Sequence, residues 1–229
     1  HTTDGIYWTA EVELEIPHEG MIINYNYQIE QNGIVIRREW DSFPRSIFLS
    51  GTSKKIYRIN DCWKNIPEQS YLYSSAFTEA LLAHPERESI PQSYKKGLVI
   101  KAYAPHINKD YCLAICGNQK SLGHWDPEKA VLMSDANFPE WQIELDASKL
   151  KYPLEYKFIL YNKQEKKADC WEKNPNRYLA DPELKTNETL VISDRYAYFD
   201  IPAWKGAGIA IPVFLSLIHI SEPTRLGMI

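Results

Sequence analysis

Apolar and polar residues alternate in short runs along much of the chain. Trp8–Ile16 and Trp141–Leu145 carry an apolar side chain at every second position, which is the period of β-strands with one buried face. Segments rich in Asn, Gly and Pro separate such runs and predict turns. Short strands at this spacing predict an all-β antiparallel sandwich or open barrel. The predicted strands of the second half are Leu98–Ala104, Tyr111–Cys116, Trp141–Leu145, Leu154–Tyr161, Lys167–Trp171 and Glu188–Ser193.

The two halves of the chain also repeat one pattern of aromatic residues. Tyr25 lies 15 residues before Trp40, and Tyr156 lies 15 residues before Trp171. Trp8 begins the alternating run of the first unit and corresponds to the tryptophan of the second unit 133 positions later. The same offset places the opening strands of the first unit before residue 1.

This offset predicts an organisation in units. We expect an incomplete first unit over residues 1–50 that is poorly ordered at its start, and a complete second unit over 97–198 that folds alone. A linker over 51–96 would join them, with a short helix at Ser74–Ala83 that begins with a serine cap.

Composition narrows the classes of function. The formal net charge of −4 provides no basic surface for nucleic acid, and no apolar run is long enough to span a membrane. The six histidines show no metal-binding spacing, the four cysteines form no zinc pairs, and no cofactor fingerprint occurs. We therefore expect no metal, no cofactor, no nucleic-acid partner and no membrane partner.

An excess of aromatic residues points to sugar binding. The chain has 7 Trp and 15 Tyr, whose rings stack on the apolar face of a glucose ring while polar side chains bind its hydroxyl groups. Trp125 lies in a loop bounded by Gly and Pro, where a core role is less expected, whereas Trp8 and Trp141 lie in alternating strands and are expected in the core. Trp171 ends a strand and precedes a polar cluster containing Glu172 and Asn176.

Four motifs in the second half together resemble the starch-binding domain of carbohydrate-binding module family 20. They are LGHWDPEKAVLMS, FPEWQIELD, LEYKFILYN and CWEKNPNRYL, in that order. The resemblance implies an immunoglobulin-like β-sandwich that binds α-1,4-glucans such as starch, glycogen and maltooligosaccharides. It also implies that Trp125 and Trp171 stack on the glucan and that Lys157, Glu172 and Asn176 bind its hydroxyl groups.

The first unit resembles the second half of another such domain. By that resemblance Trp40 matches the second stacking tryptophan, while Asn26 stands where the family has Lys and Arg45 where it has Asn. The tandem arrangement, the linker and the apolar run AWKGAGIAIPVF, residues 203–214, resemble the 4-α-glucanotransferases of glycoside hydrolase family 77. Residues 199–215 would then begin a (β/α)8 catalytic barrel, and residues 216–229 resemble a translated sequencing adapter.

The resemblance implies a cytoplasmic parent enzyme that transfers α-1,4-glucan segments between sugars by retaining transglycosylation. Its two carboxylates would lie beyond this chain, so we expect the chain to have no catalytic residues and to be inactive alone. Three alternatives remain open: a starch-binding appendage of another amylolytic enzyme, a non-enzymatic glycogen-binding protein, and an adhesion sandwich in which Trp125 and Trp171 are buried.

Overall fold

The structure of the chain is a computed structural model, which describes residues 5, 8–40, 45–51, 55–66, 93–107, 109–193, 197 and 199. These residues form mostly β-strands, with helical structure limited to short 3₁₀ segments. In the described ranges, no helix has the length and apolar character needed to cross a bilayer. The predicted helix Ser74–Ala83, the predicted barrel strand over 203–214 and the tail 216–229 all lie outside these ranges.

Five strands belong to the first part of the chain and nine to the second part. The first five are β1 (Met21–Tyr25), β2 (Gln28–Gln31), β3 (Ile34–Arg38), β4 (Arg45–Leu49) and β5 (Ile56–Asn60). The others are β6 (Lys96–Tyr103), β7 (Tyr111–Gly117), β8 (Val131–Leu132), β9 (Ser134–Asn137), β10 (Glu140–Asp146), β11 (Leu154–Asn162), β12 (Lys167–Trp171), β13 (Arg177–Leu179) and β14 (Glu188–Ser193). All six strands predicted for the second half are present, with ends that differ by at most two residues.

The second unit is a sandwich of two five-stranded sheets. One sheet has the order β5-β14-β6-β10-β9, and the other has the order β12-β11-β7-β8 with β13 also paired to β11. The prediction of a β-sandwich is confirmed, but the first sheet is mixed, because β14 lies parallel to both β6 and β5. Strand alternation could not show this, since the period along a strand is the same whichever way its neighbour runs.

The core of the sandwich lies between its two sheets. Leu98 and Ile100 of the first sheet pack against Phe158 and Leu160 of the second, and all four side chains are fully buried. Trp141 is 2 % exposed, and its indole N–H donates to the carbonyl of Ala104 at 3.2 Å. This hydrogen bond satisfies the polar atom of a buried indole, and it confirms the predicted core role of Trp141.

Two pairs of strands have the same register in both units. Tyr25 pairs with Arg45 between β1 and β4, just as Tyr156 pairs with Arg177 between β11 and β13. Strands β1 and β2 together therefore correspond to β11, strand β3 to β12, and strand β4 to β13. By this register Asn26 corresponds to Lys157, as predicted, whereas Arg45 corresponds to Arg177 and not to Asn176.

The first unit packs on the outer surface of the mixed sheet. Ile47 and Leu49 of β4 contact Val99 and Val191, which point away from the sandwich core. Strand β5, within the predicted linker, extends this sheet by pairing with β14. Residues 56–60 of the predicted linker therefore belong to the mixed sheet, and the second unit shares an apolar cluster with the first.

Candidate functional site

A strained loop holds Trp125 at the surface. The loop follows β7 and is anchored by Leu122, which is fully buried. Gly123, His124 and Trp125 then adopt φ angles of 80°, 52° and 63°. Positive φ is costly for a residue with a Cβ atom, and a Cβ at Gly123 would lie 2.8 Å from the carbonyl oxygen of Lys129. This strained backbone turns the Trp125 side chain outward. The side chain is only half-buried there.

Hydrogen bonds fix this loop from both sides. Gln119 exchanges two hydrogen bonds with the backbone of Lys151, at 3.0 and 3.2 Å. Asp126 accepts from the N–H of Glu128 at 3.2 Å and pairs with Lys129 at 2.6 Å. The hydrogen bond from Lys129 lowers the pKa of the Asp126 carboxyl. Because these contacts hold the loop before any ligand arrives, little ordering of the loop is needed on binding.

Trp171 lies beside Trp125 on the outer face of the second sheet. It ends β12 opposite Ile159 and packs on the small outward-facing cluster of Ala114, Cys116 and Ile159. The two indole rings have centroids 6.1 Å apart and planes inclined by 46°. Each ring is half-buried and leaves part of its surface open. This disagrees with the alternative of an adhesion sandwich in which both rings are buried. We call this pair the tryptophan platform.

Polar residues border the tryptophan platform. Lys157 and Ile159 are two residues apart on β11 and share its outward face, so Lys157 lies on the side of Trp171. Asn176 is exposed in the segment before β13. Sequence reasoning missed Tyr178, which is 64 % exposed and pairs with Glu155 on the same outward face. Tyr178 is the middle residue of the short strand β13, whose residues alternate in exposure. This position was the signal available for an outward-facing ring.

Glu172 is a structural residue, contrary to the prediction that it binds sugar hydroxyl groups. It is 2 % exposed and accepts a hydrogen bond from the N–H of Phe158 at 2.7 Å. Arg177 pairs with the same carboxylate and lies 4.4 Å from the centre of the Phe158 ring, and Asn174 donates to its other oxygen at 3.0 Å. Burial raises the pKa of Glu172, although Arg177 opposes this effect. Alternation explains the burial, because the residue after outward-facing Trp171 points inward.

Trp40 does not occupy the position that corresponds to Trp171. In the first unit Gln28 pairs with Arg38, and in the second unit Ile159 pairs with Trp171. Gln28 and Ile159 each lie three residues after the equivalent tyrosine, so Arg38 takes the platform position. Between these paired positions the first unit has two residues fewer than the second. Trp40 therefore lies two residues beyond the platform position, although it too follows its tyrosine by 15 residues. Trp40 instead lies with its ring 5.8 Å from Nζ of Lys64.

The tryptophan platform can bind a ligand that combines flat apolar faces with hydroxyl groups. Over the described ranges, no group of three or more His, Cys, Asp or Glu side chains could hold a metal ion. Two partly exposed indole rings beside polar side chains are suited to binding through stacking and hydrogen bonds.

Comparison with known proteins agrees with this geometry. Residues 99–191 match the CBM_20 family, which is described as the starch binding domain. This segment contains the tryptophan platform and most of both sheets.

Several solved structures are similar to part of the chain. The family 20 carbohydrate-binding module of a maltotetraose-forming amylase from Pseudomonas saccharophila STB07 is 16 % identical, with 41 % of this chain and 98 % of that one covered and a TM-score of 0.34. A family 15 glucoamylase from Hypocrea jecorina is 21 % identical, with 51 % and 19 % covered and a TM-score of 0.35. The glucoamylase of Hormoconis resinae is 16 % identical, with 50 % and 19 % covered and a TM-score of 0.37. The chain thus spans about a fifth of each glucoamylase.

Proposed function

We propose, on the premise that residues 99–191 form a starch-binding domain of carbohydrate-binding module family 20, that the tryptophan platform is the surface through which this chain binds α-1,4-glucans. The observation that carries the proposal is the juxtaposition of Trp125 and Trp171, whose half-buried rings have centroids 6.1 Å apart. Two sugar rings of one chain can stack on the two indoles at once.

The architecture of the site supports weak binding that is specific for the shape of the glucan. Stacking on each indole contributes about 1 kcal/mol beyond the area that it buries. Lys157 and Asn176 add hydrogen bonds to hydroxyl groups at the border, each worth about 1 kcal/mol in net terms. We expect dissociation constants of roughly micromolar to millimolar order, with tighter retention on starch granules, where several sites engage at once.

Calorimetric titration of the whole chain with β-cyclodextrin tests this proposal. Trp125→Ala and Trp171→Ala should each weaken binding by about tenfold, which corresponds to about 1.4 kcal/mol. Trp40→Ala is the matched control, because it removes an indole that lies outside the tryptophan platform, and it should bind as the parent chain does. The proposal fails if Trp125→Ala binds β-cyclodextrin with unchanged affinity while its melting temperature is unchanged.

We further propose that the chain is the glucan-binding region of a 4-α-glucanotransferase. The support is the stretch AWKGAGIAIPVF in residues 203–214, whose continuous apolar part GIAIPVF has the character of a barrel strand buried on both faces. In this arrangement the tryptophan platform would hold a long glucan near the catalytic barrel and so raise its local concentration. The test is to sequence the complete gene and assay its product for disproportionation of maltotriose. A product that only hydrolyses starch would support the alternative of another amylolytic enzyme.

A further inference from the structure

A tyrosine outside the tryptophan platform faces the same side of the second sheet. Tyr178 is 64 % exposed and pairs with Glu155 of β11. Along β11, Glu155, Lys157 and Ile159 are alternate residues and share the outward face, and Ile159 pairs with Trp171. Paired residues of neighbouring antiparallel strands point to the same face. The ring of Tyr178 therefore lies on the face that carries the tryptophan platform.

Tyr178 lies well beyond the two indoles along the direction of β11. The partners of Tyr178 and Trp171 are four residues apart on this strand, which corresponds to about 13 Å. The centroids of the two indoles are 6.1 Å apart. Lys157 lies between the two partner positions on the same face. A glucan that rests on the tryptophan platform and continues along β11 therefore passes Lys157 before it reaches Tyr178.

The inward neighbours of the two outward rings are joined to each other. Glu172 follows Trp171 and Arg177 precedes Tyr178, and these two inward side chains form an ion pair. Arg177 also lies 4.4 Å from the centre of the Phe158 ring. These contacts fix both ends of the segment that connects β12 to β13. The position of Tyr178 relative to Trp171 is thus set before a ligand arrives, so that little ordering is needed on binding.

We propose that Tyr178 is a third stacking residue, which makes the site favour long α-1,4-glucans over short ones. This role rests on the proposed function of the tryptophan platform. A short saccharide occupies only the two indoles and their border. A longer chain continues past Lys157 and stacks a further glucose ring on Tyr178. Glu155, which is half-buried beside Tyr178, accepts a hydrogen bond from a hydroxyl group of that glucose.

The opposite direction along β11 offers a less accessible ring. Tyr161 also faces outward, on the other side of Ile159 from Lys157. It packs, however, against the outward-facing apolar cluster beneath Trp171 and is partly buried there. Tyr178 combines the more exposed ring with a lysine on the way to it, and the longer chain therefore extends toward Tyr178.

The first unit shows that the strand pairing does not need a tyrosine at this position. Ser46 takes the place of Tyr178, because each follows the arginine that pairs with the equivalent tyrosine. The ion pair between Glu39 and Arg45 is nevertheless present in that unit. Tyr178→Ser is therefore a substitution that this register already accommodates, and it removes the ring without disturbing the pair beneath it.

Calorimetric titration of the whole chain with maltotriose and with maltoheptaose tests this proposal. Tyr178→Ser should weaken the binding of maltoheptaose by about threefold to tenfold and leave that of maltotriose unchanged. Tyr178→Phe keeps the ring and should bind both saccharides as the parent chain does. Tyr94→Ser is the matched control, because it removes a partly exposed tyrosine beside Glu144 of the other sheet, and it should change neither affinity. Melting temperatures check that every variant is folded.

Trp171→Ala in the same titrations separates the role of Tyr178 from the proposed function, and it should weaken the binding of both saccharides. An unchanged affinity of Trp171→Ala, or a parent chain that binds neither saccharide, overturns the proposed function and the role of Tyr178 with it. If Trp171→Ala does weaken binding, the role of Tyr178 alone is refuted by any of three results. Tyr178→Ser binds maltoheptaose as the parent does, it loses the same factor for both saccharides, or Tyr178→Phe loses as much as Tyr178→Ser.

Discussion

The two units share a backbone register but differ in what covers their inner faces. In each unit an aromatic residue, a glutamate and an arginine form the same motif: Tyr27, Glu39 and Arg45 in the first, and Phe158, Glu172 and Arg177 in the second. The second unit has two sheets around one core, whereas the strands of the first unit pack on the outside of the mixed sheet. The comparison shows that the same pairing motif can lie in two different packing environments.

The same difference extends to the proposed sugar-binding surface. The second unit has Trp171 and Lys157 on its outward face, and the first unit has Arg38 and Asn26 at the equivalent positions. A guanidinium and a short amide do not reproduce an indole platform with a long cationic side chain at its border. We therefore expect the glucan affinity of the chain to reside in the second unit.

The largest expected effect is on the free energy of unfolding, and it distinguishes the two corresponding tryptophans, Trp141 and Trp8. Trp141→Ala should lower the free energy of unfolding by about 3–5 kcal/mol, because it removes a buried aromatic side chain. Trp8→Ala should change it by less than about 0.5 kcal/mol, since the Trp8 side chain is 73 % exposed. Urea unfolding followed by circular dichroism measures both values. Equal losses in the two variants would show that the first unit also buries its tryptophan.

The buried glutamates Glu39 and Glu172 give the next largest expected difference in the free energy of unfolding. This difference depends on pH. Although burial acts to raise it, the pKa of Glu39 is lowered by hydrogen bonds from Arg45 and from the backbone N–H groups of Lys64 and Tyr27. Its contribution to stability is therefore present above the ordinary pKa of a glutamate and is lost as pH falls through the lowered value. The pKa of Glu172 is raised, mainly by burial, so its ionised form opposes folding and this cost disappears as pH falls.

Substitution by glutamine sharpens this contrast between the units. At pH 7 Glu39→Gln should destabilise the chain by about 2–3 kcal/mol, because Arg45 loses a buried partner, and Glu172→Gln should cost clearly less. The gap between the two variants should shrink between pH 5 and pH 3, roughly the range in which these carboxyl groups take up protons. Thermal unfolding across this pH range is the measurement. A gap that widens on acidification would reverse the assigned directions.

The smallest expected effect concerns the border of the tryptophan platform. Lys157→Asn makes the second unit resemble the first at this position and should remove the hydrogen bond that we propose from Lys157 to a sugar hydroxyl. Binding of β-cyclodextrin should weaken by about threefold to fivefold, or about 1 kcal/mol, with no change in melting temperature. Asn26→Lys, the reverse change in the first unit, is the control and should add no affinity. A larger loss than that of Trp171→Ala would mean that the lysine, and not stacking, dominates binding.

Local pattern in the sequence was sufficient for six strands of the second unit and for part of the site, whereas the strand predicted at Trp8–Ile16 and the core role predicted for Trp8 are wrong. Alternation placed six strands of the second unit within two residues, because a half-buried strand has to alternate whatever its neighbours are. The Gly and Pro residues around Trp125 correctly indicated a loop that presents its ring, since turn chemistry is local. The repeat placed Tyr25 and Tyr156 at equivalent positions, since each pairs with an arginine, whereas the spacing of 15 residues to Trp40 was misleading.

Tertiary structure decided everything that depends on which strands meet. It placed Arg38 and not Trp40 at the platform position, because a shorter hairpin shifts the pairing without changing the residue count. It buried Glu172 between Phe158 and Arg177, a role set by partners 14 residues back and five residues on. It also joined β5 to the second unit and brought Trp125 to within 6.1 Å of Trp171. Sequence periodicity is a property of single strands, whereas these contacts arise from pairing and packing between segments that are distant in the chain.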